Sequence, residues 1–342
     1  MNNLPLVSIM IPNRNHSRYL GQCIESALSQ TYRPIDIVVL DNCSDDDSIE
    51  TASRYIDRGV RLCKNPLNII NASYDVLVAL TESDYLMLLC ADDLIKPGFV
   101  ERCVSVMEEH PRVGYVHCER DYMDASGNIT DLDPFYSCSF ISPGESALPI
   151  YLLTDVAQPS QCLFRRTVFE RALRYETEFD HANADKDLWF KLSLFSDYAY
   201  LRTKLALIRI HEARETTARF ESFFHPLAIY LSLHHQVALG MVQGHHNVLD
   251  RLPKAQRRLA SESVQVAISF LRDGKRVLAR RYLLFARIVD EGIVADDRYQ
   301  LADAVCNDSA RDPEADLPGA DDMFVRRTRS YDPPRGFKVL DS

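Results

Sequence analysis

The sequence lacks the signatures of several common classes. Nine cysteines stand at 23, 43, 63, 90, 103, 118, 138, 162 and 306, and no two form a C-x-x-C pair. That removes zinc-ribbon and thiol-redox readings. An odd count without a framework fits reduced thiols in a cytosol. No stretch approaches the roughly 20 apolar residues a membrane-spanning helix needs. The opening MNNLPLVSIMIP has no basic region before its apolar residues, so it reads as a first strand and not as a signal peptide. A net charge of −10 argues against nucleic acid as a general partner, since phosphate binding wants a basic surface. N-x-S/T triplets at Asn42, Asn71 and Asn128 carry little weight in a cytosolic chain. Glycine is missing where nucleotide-binding loops need it. PNRNHS occupies the place of a G-x-G-x-x-G, and G-x-x-x-x-G-K-S/T occurs nowhere. No internal repeat or low-complexity block is present.

The 342 residues, 46% of them hydrophobic, alternate two periodicities. LVSIMI (6–11), IDIVVL (35–40), VRLC (60–63) and YLMLLCA (85–91) are short apolar runs of the kind found in buried parallel strands. Helical spacing lies between them. Leu20, Cys23, Ile24, Ala27 and Leu28 form one face, with Ser17 as a cap. NCSDDDS supplies caps for a helix over 48–57. Ala72, Val76, Leu77 and Leu80 mark a helix over 71–81. Phe99, Val100, Cys103, Val104 and Met107 mark another after Pro97. The order β-α-β-α-β-α-β-α predicts an α/β fold, an open, mostly parallel sheet with helices on both faces.

The fourth strand ends on two adjacent carboxylates, Asp92 and Asp93. Taking such a pair out of water costs several kcal/mol per ion unless something compensates. Capping the helix after Pro97 is one explanation. A divalent cation with oxygen ligands is the other. Ligands of open α/β sheets sit beyond the carboxyl ends of the strands. Asp41, ending strand two, and Asp92–Asp93 should therefore share a crevice, which favours the cation.

Further along, 113–129 reads as a strand and a turn, and 130–160 as a Pro- and Ser-rich loop over the site. ADKDLWFKLSLF (184–195) reads as a helix, and LALIRIHEARETT (205–217) as a strand running into a polar loop. After about 220 only helical periodicity remains. Residues 251–287 carry ten Lys and Arg against Glu262 and Asp273, as two helices joined at Asp273–Gly274. This basic hairpin either lies against anionic lipid or is a solvated pair packed on the catalytic domain. The expected division is a nucleotide-sugar-binding and catalytic domain over 1–219, a helical region over 220–323 and a flexible tail over 324–342.

VSIMIPNRNHSRYL, ALSQTYRPIDIVVLDNCSDDDS and LLCADDLIKPGFVE together resemble a family 2 glycosyltransferase of GT-A fold. Pro12 and Asn15 match the end of the family's first strand. Asp41, Ser44 and Asp46 match the end of its second. Asp92, Asp93 and Pro97 match the metal motif, Asp185, Asp187, Leu188 and Trp189 the acid motif, and Arg209 and His211 a later strand–Arg–x–His element. The resemblance covers roughly residues 5–217. Asn42, Cys90-Ala91 and Ala184 stand where the family often has acids.

The resemblance implies an inverting, metal-dependent transfer of a sugar from a nucleotide diphosphate donor, UDP or dTDP favoured. The acceptor is a hydroxyl on a glycan or lipid-linked molecule, and the pathway is surface polysaccharide or glycolipid synthesis. The location is the cytoplasm, or the inner face of the cell membrane if the hairpin binds there. Asp41 would accept from a uracil or thymine N–H, in a pocket shaped by Pro12 and Asn15. Asp93 is expected to ligate Mn or Mg directly, with Asp92 acting through water or gripping ribose or sugar. His211 would add a metal or phosphate contact. Asp185 is the expected general base, and Asp187 the support of its helix. A sugar nucleotidyltransferase and a non-catalytic nucleotide-sugar-binding module are the alternatives.

Overall fold

A computed structural model describes residues 4–69, 72–154, 156–174, 184–211, 223–317 and 331–340. The first half alternates as expected. Strand β1 (Val7–Asn13) leads to helix α1 (Ser17–Leu28), β2 (Ile35–Asp41) to α2 (Ser48–Ser53), and β3 (Val60–Lys64) to α3 (Ala72–Ala79). Strand β4 (Tyr85–Leu88) and the two-residue β5 (Leu94–Ile95) precede α4 (Phe99–Glu109). Asn71 lies outside the described residues.

The second half holds the long β6 (Val113–Met123), β7 (Ile129–Thr130), β8 (Phe140–Ser142) and α5 (Gly144–Tyr151). It continues with β9 (Cys162–Arg165), α6 (Arg166–Leu173), α7 (Ala184–Phe195) and β10 (Asp197–Arg209). The span 130–160 is therefore not one loop. Phe140, Ala147, Leu148 and Tyr151 bury their side chains there, which a Pro- and Ser-rich composition conceals. Strand β10 begins eight residues before the expected strand at 205, and its polar continuation past His211 lies outside the described residues.

One mixed sheet results, in the order β11-β8-β10-β6-β9-β4-β1-β2-β3, where β11 is Lys338–Val339. The chain steps outward from β1 to β2 and β3, all parallel, then returns to lay β4 on the other side of β1. This reversal is a topological switch point, and the crevice beyond it is the default ligand site of such sheets. Beyond β4 the backbone leaves the ladder. Leu89 N still donates to Met10 O, but Asp93 N turns back to Cys90 O at 3.0 Å. The sheet thus ends before the acid pair, which sits in a tight turn at its rim.

Four longer helices follow: α8 (Phe224–Val242), α9 (Leu252–Arg272), α10 (Arg276–Val289) and α11 (Asp297–Asn307). They are not a separate body. Leu233 and Val237 of α8 and Leu259 and Val264 of α9 belong to the same core as Trp189 of α7 and Leu88 of β4. Among the described residues no helix is long and apolar enough to cross a membrane. Residues 331–340, expected as part of a loose tail, lie along the sheet edge. There β11 pairs with β8, Tyr331 N donates to Phe135 O, and the Phe337 ring meets Phe140. The rest of 318–342 lies outside the described residues.

One buried histidine adds a pH liability to this core. His117 on β6 is 1% exposed between Tyr198 and Tyr200, and neither ring nitrogen has a hydrogen-bond partner among the described residues. Burial, helped by the Arg120 charge, pushes its pKa down to about 3. The folded state therefore keeps His117 neutral while the unfolded chain protonates it near 6.5, so stability present above that pH is lost as pH falls. The contribution approaches about 1.4 kcal/mol per pH unit between the two values. His117→Phe should flatten this part of the profile. Urea unfolding of both proteins at pH 7 and pH 5 measures it, and parallel losses would assign the acid sensitivity to other groups.

Candidate active site

Three strand ends build the site. At the ends of β1 and β2, Asn13 Nδ2 donates to Asp41 Oδ1 at 3.0 Å, and Ser44 N donates to Asp41 Oδ2 at 3.0 Å. Asp41 is 1% exposed. Ser44 Oγ accepts from Asn15 N, and Asn15 Oδ1 accepts from Asp45 N. Asn15 has φ +56° and Cys43 φ +62°, both left-handed. Asn is among the few L-residues that take this conformation readily. Asp46 joins the same web, accepting from Ser17 N and Ser48 N. Burial alone would raise its pKa, but the hydrogen bonds from Ser48 and Ser17 outweigh that and hold it low. Two loops from different strands are thereby locked together, and Pro12 lies half-buried at their root.

The acid pair comes next. Asp93 is 3% exposed. Its Oδ2 accepts from Ser160 Oγ at 2.7 Å and its Oδ1 from Arg209 N at 2.8 Å. Asp92 is somewhat less buried, its side chain 15% exposed. Its Oδ2 lies 3.0 Å from His211 Nε2. Asp92, His211 and His16 can offer ligand atoms all within 4.8 Å of one another, and Cys90, Asp92 and Asp93 form a second such group. A carboxylate with two imidazoles is a donor set for a divalent transition ion, so of the expected cations these residues fit manganese better than magnesium, which prefers oxygen ligands. Asp93, expected as the direct ligand, thus accepts two hydrogen bonds from the protein and also belongs to the second of these groups, while Asp92 is common to both.

Arg209 holds this corner together. Its guanidinium donates to Asp92 O at 2.9 Å, Asp124 O at 3.1 Å and Gln22 Oε1 at 2.7 Å, and sits 4.4 Å from the centre of the Tyr19 ring. Tyr19 in turn packs on His211, with ring centres 5.1 Å apart. One arginine thus ties the end of β10 to α1 and to the acid turn.

Asp185 and Asp187 separate on α7, because residues two apart on a helix point to different sides. Asp187 is buried, ion-paired to Lys191 and hydrogen-bonded to Gln236 of α8. Asp185 is half-buried. Burial pushes the Cys90 thiol up, and the charges of Asp93, Asp92 and Asp185 push it further. Asp92 and Asp93 lie beside Cys90, and Asp185 is within electrostatic reach of it. His16, Ser160 and Asn13 are the site residues sequence reasoning passed over. His16 sat in the quoted PNRNHS loop, whereas Ser160 has no local signal, coming from a segment 67 residues from Asp93.

Residues 8–173 match the family described as "Glycosyl transferase family 2". Chondroitin synthase of Escherichia coli is 26% identical over 224 residues, covering 64% of this chain and 31% of that protein. The chain thus spans about a third of that relative's length. An uncharacterized glycosyltransferase of Haemophilus influenzae is 33% identical over 129 residues, covering 37% of this chain and 51% of that protein. Among solved structures, S. aureus TarS 1-349 in complex with UDP-GlcNAc superimposes with a TM-score of 0.54 at 13% identity, over 84% of this chain and 91% of that one. At that identity the likeness is one of fold.

Proposed function

The chain belongs to glycosyltransferase family 2 and has a GT-A-type sheet, and on that premise we propose that it moves a sugar from a nucleoside diphosphate donor to an acceptor hydroxyl, with inversion. The observation that carries the proposal is the convergence of Asp92, His211 and His16 at the switch point, with Asp185 at the start of α7 within electrostatic reach of neighbouring Cys90. The donor's base would enter by the locked loops at the ends of β1 and β2. Asp41, held by Asn13 and Ser44, fixes their shape and offers remaining acceptor capacity to a base N–H. Pro12 and Asn15 frame that pocket. Asp92, His211 and His16 would hold a Mn or Mg ion. Such an ion, when bound, neutralises charge developing on the leaving diphosphate.

Asp185 takes the proton from the acceptor hydroxyl as it attacks, on the face opposite the leaving group. The transition state is oxocarbenium-like, as in glycoside hydrolysis. Asp93 and Arg209 position the acid turn. Uridine diphosphate is the favoured donor group, in keeping with the UDP-GlcNAc complex of TarS. A glycan or lipid-linked acceptor in polysaccharide synthesis follows the chondroitin synthase likeness. The reading places the chain in the cytoplasm.

A thermal-shift series with nucleoside diphosphates and manganese tests the proposal. UDP with manganese should raise Tm well above either alone. A ligand at a hundred times its Kd stabilises by about 2.7 kcal/mol. Failure of every nucleoside diphosphate to shift Tm, with or without metal, overturns it.

A further inference from the structure

The basic stretch of the C-terminal helices is less uniform than its composition. Arg257 pairs with Asp290, and Arg258 with Glu262. Arg272 donates to Leu317 O, and Arg276 to Val305 O and Asp308 O. These arginines stitch the helical region together. Helix α10 differs. Its inner face, Ala279, Tyr282, Leu283, Ala286 and Val289, is buried.

Its outer face carries Val277, Leu284 and Ile288, 70%, 45% and 76% exposed. With Arg281 they stand at i, i+4, i+7 and i+11, one line along a helix. Arg280 and Arg287 flank that line, both exposed. Arg280 reaches Asn307, which leaves its charge intact, and neither Arg281 nor Arg287 has a carboxylate partner among the described residues. The face holds no acid. Beyond it come Asp290, neutralised by Arg257, and exposed Glu291.

A solvated helix face carries charges of both signs and few aliphatics. This one carries aliphatics in a row with cations alone, on a chain of net charge −10. Phosphate-rich polymers would satisfy the arginines and leave the aliphatics in water. A surface that is anionic outside and apolar beneath satisfies both. Arginine stems can lie along apolar surface while their heads stay at phosphates. We infer that the outer face of α10 is a peripheral docking surface for anionic lipid headgroups, with Val277, Leu284 and Ile288 entering the interface and Arg280, Arg281 and Arg287 contacting phosphates.

Flotation of the full chain tests this, with no donor or acceptor present, so its outcome is independent of the transfer reading. Wild type should float with vesicles of equal parts phosphatidylglycerol and phosphatidylcholine, and stay behind with phosphatidylcholine alone. Arg281→Glu with Arg287→Glu should cut partitioning about 30-fold or more, since each basic residue near such a surface contributes a factor of about five. Val277→Ser with Ile288→Ser should weaken it at least about tenfold while leaving the charge unchanged. Reversal of exposed Lys254 on α9 should change nothing comparable. All sites are exposed, so each variant should fold, as its melting temperature shows. The inference falls if wild type ignores anionic vesicles, or if the Val277→Ser, Ile288→Ser protein floats as well as wild type. It falls equally if the face pairs with a second copy, seen as a sedimenting dimer that Ile288→Ser dissolves and that does not float.

Discussion

Replacing Asp185 by Asn should lower the turnover number by roughly 100- to 10,000-fold, about 2.7 to 5.5 kcal/mol of transition-state stabilisation. The same change should leave UDP affinity and melting temperature nearly as they were. A general base acts only when the acceptor proton moves, so its loss spares ground-state binding. Asp185 is half-buried at the start of α7, and Asn retains its size and an acceptor oxygen. Asp187→Asn should behave in the opposite way. Asp187 and Lys191 are both buried and paired, and Gln236 donates to the same carboxylate. Removing one charge of a buried pair leaves the other uncompensated, at a cost of about 3–5 kcal/mol. Asp187→Asn should therefore unfold far below wild type, with whatever folded fraction remains still turning over. Single-turnover kinetics and urea unfolding on both variants separate the two roles. A stable, inactive Asp187→Asn beside an active Asp185→Asn would move the base by two residues.

The sequence makes both aspartates legible as a helix start, but not what divides them. Spacing placed both at a helix start, where either can serve as a cap. What divides them is a partner from α8, 49 residues away, which no local pattern announces. The same limit recurs across the molecule. Strands β1, β2 and β4 were legible because each is a short apolar run buried on both faces, and β3, an edge strand fully buried only at Val60, by its VRLC run alone. Strand β9, four residues between two antiparallel neighbours, and the early part of β10, between one parallel and one antiparallel neighbour, were not, because their pairing comes from distant segments. Residues 331–340 read as a tail because their stability is borrowed from Phe135, Tyr136 and Phe140, none of them nearby in sequence. The acid pair was visible as a pair. Which member faces the crevice depended on Ser160 and Arg209, which arrive from 67 and 116 residues downstream.

That assignment carries the sharpest contrast. Asp92→Asn should weaken manganese binding about 100-fold or more, because changes merely behind a metal ligand already cost 10- to 100-fold. Its fold should survive, since its carboxylate faces His211 at the crevice and its structural bond, from Arg209 Nε, goes to the backbone oxygen. Asp93→Asn should do the reverse. Both Asp93 oxygens accept, from a hydroxyl and from a backbone N–H. An amide turned either way sets an NH2 group against one of those partners. Ser160 Oγ already accepts from Cys90 N, so it is poorly placed to take a second donor. An unsatisfied buried group of this kind costs about 1–3 kcal/mol. Asp93→Asn should thus lower Tm with no ligand present, yet keep much of its manganese dependence in the folded fraction. The measurement is the UDP-induced shift in Tm across a manganese titration, which needs no acceptor. His211→Gln should move the manganese midpoint in the same direction as Asp92→Asn. If Asp92→Asn and His211→Gln titrate like wild type while Asp93→Asn loses manganese dependence at unchanged stability, then Asp93 is the ligand and the Asp92–His211 pair is not.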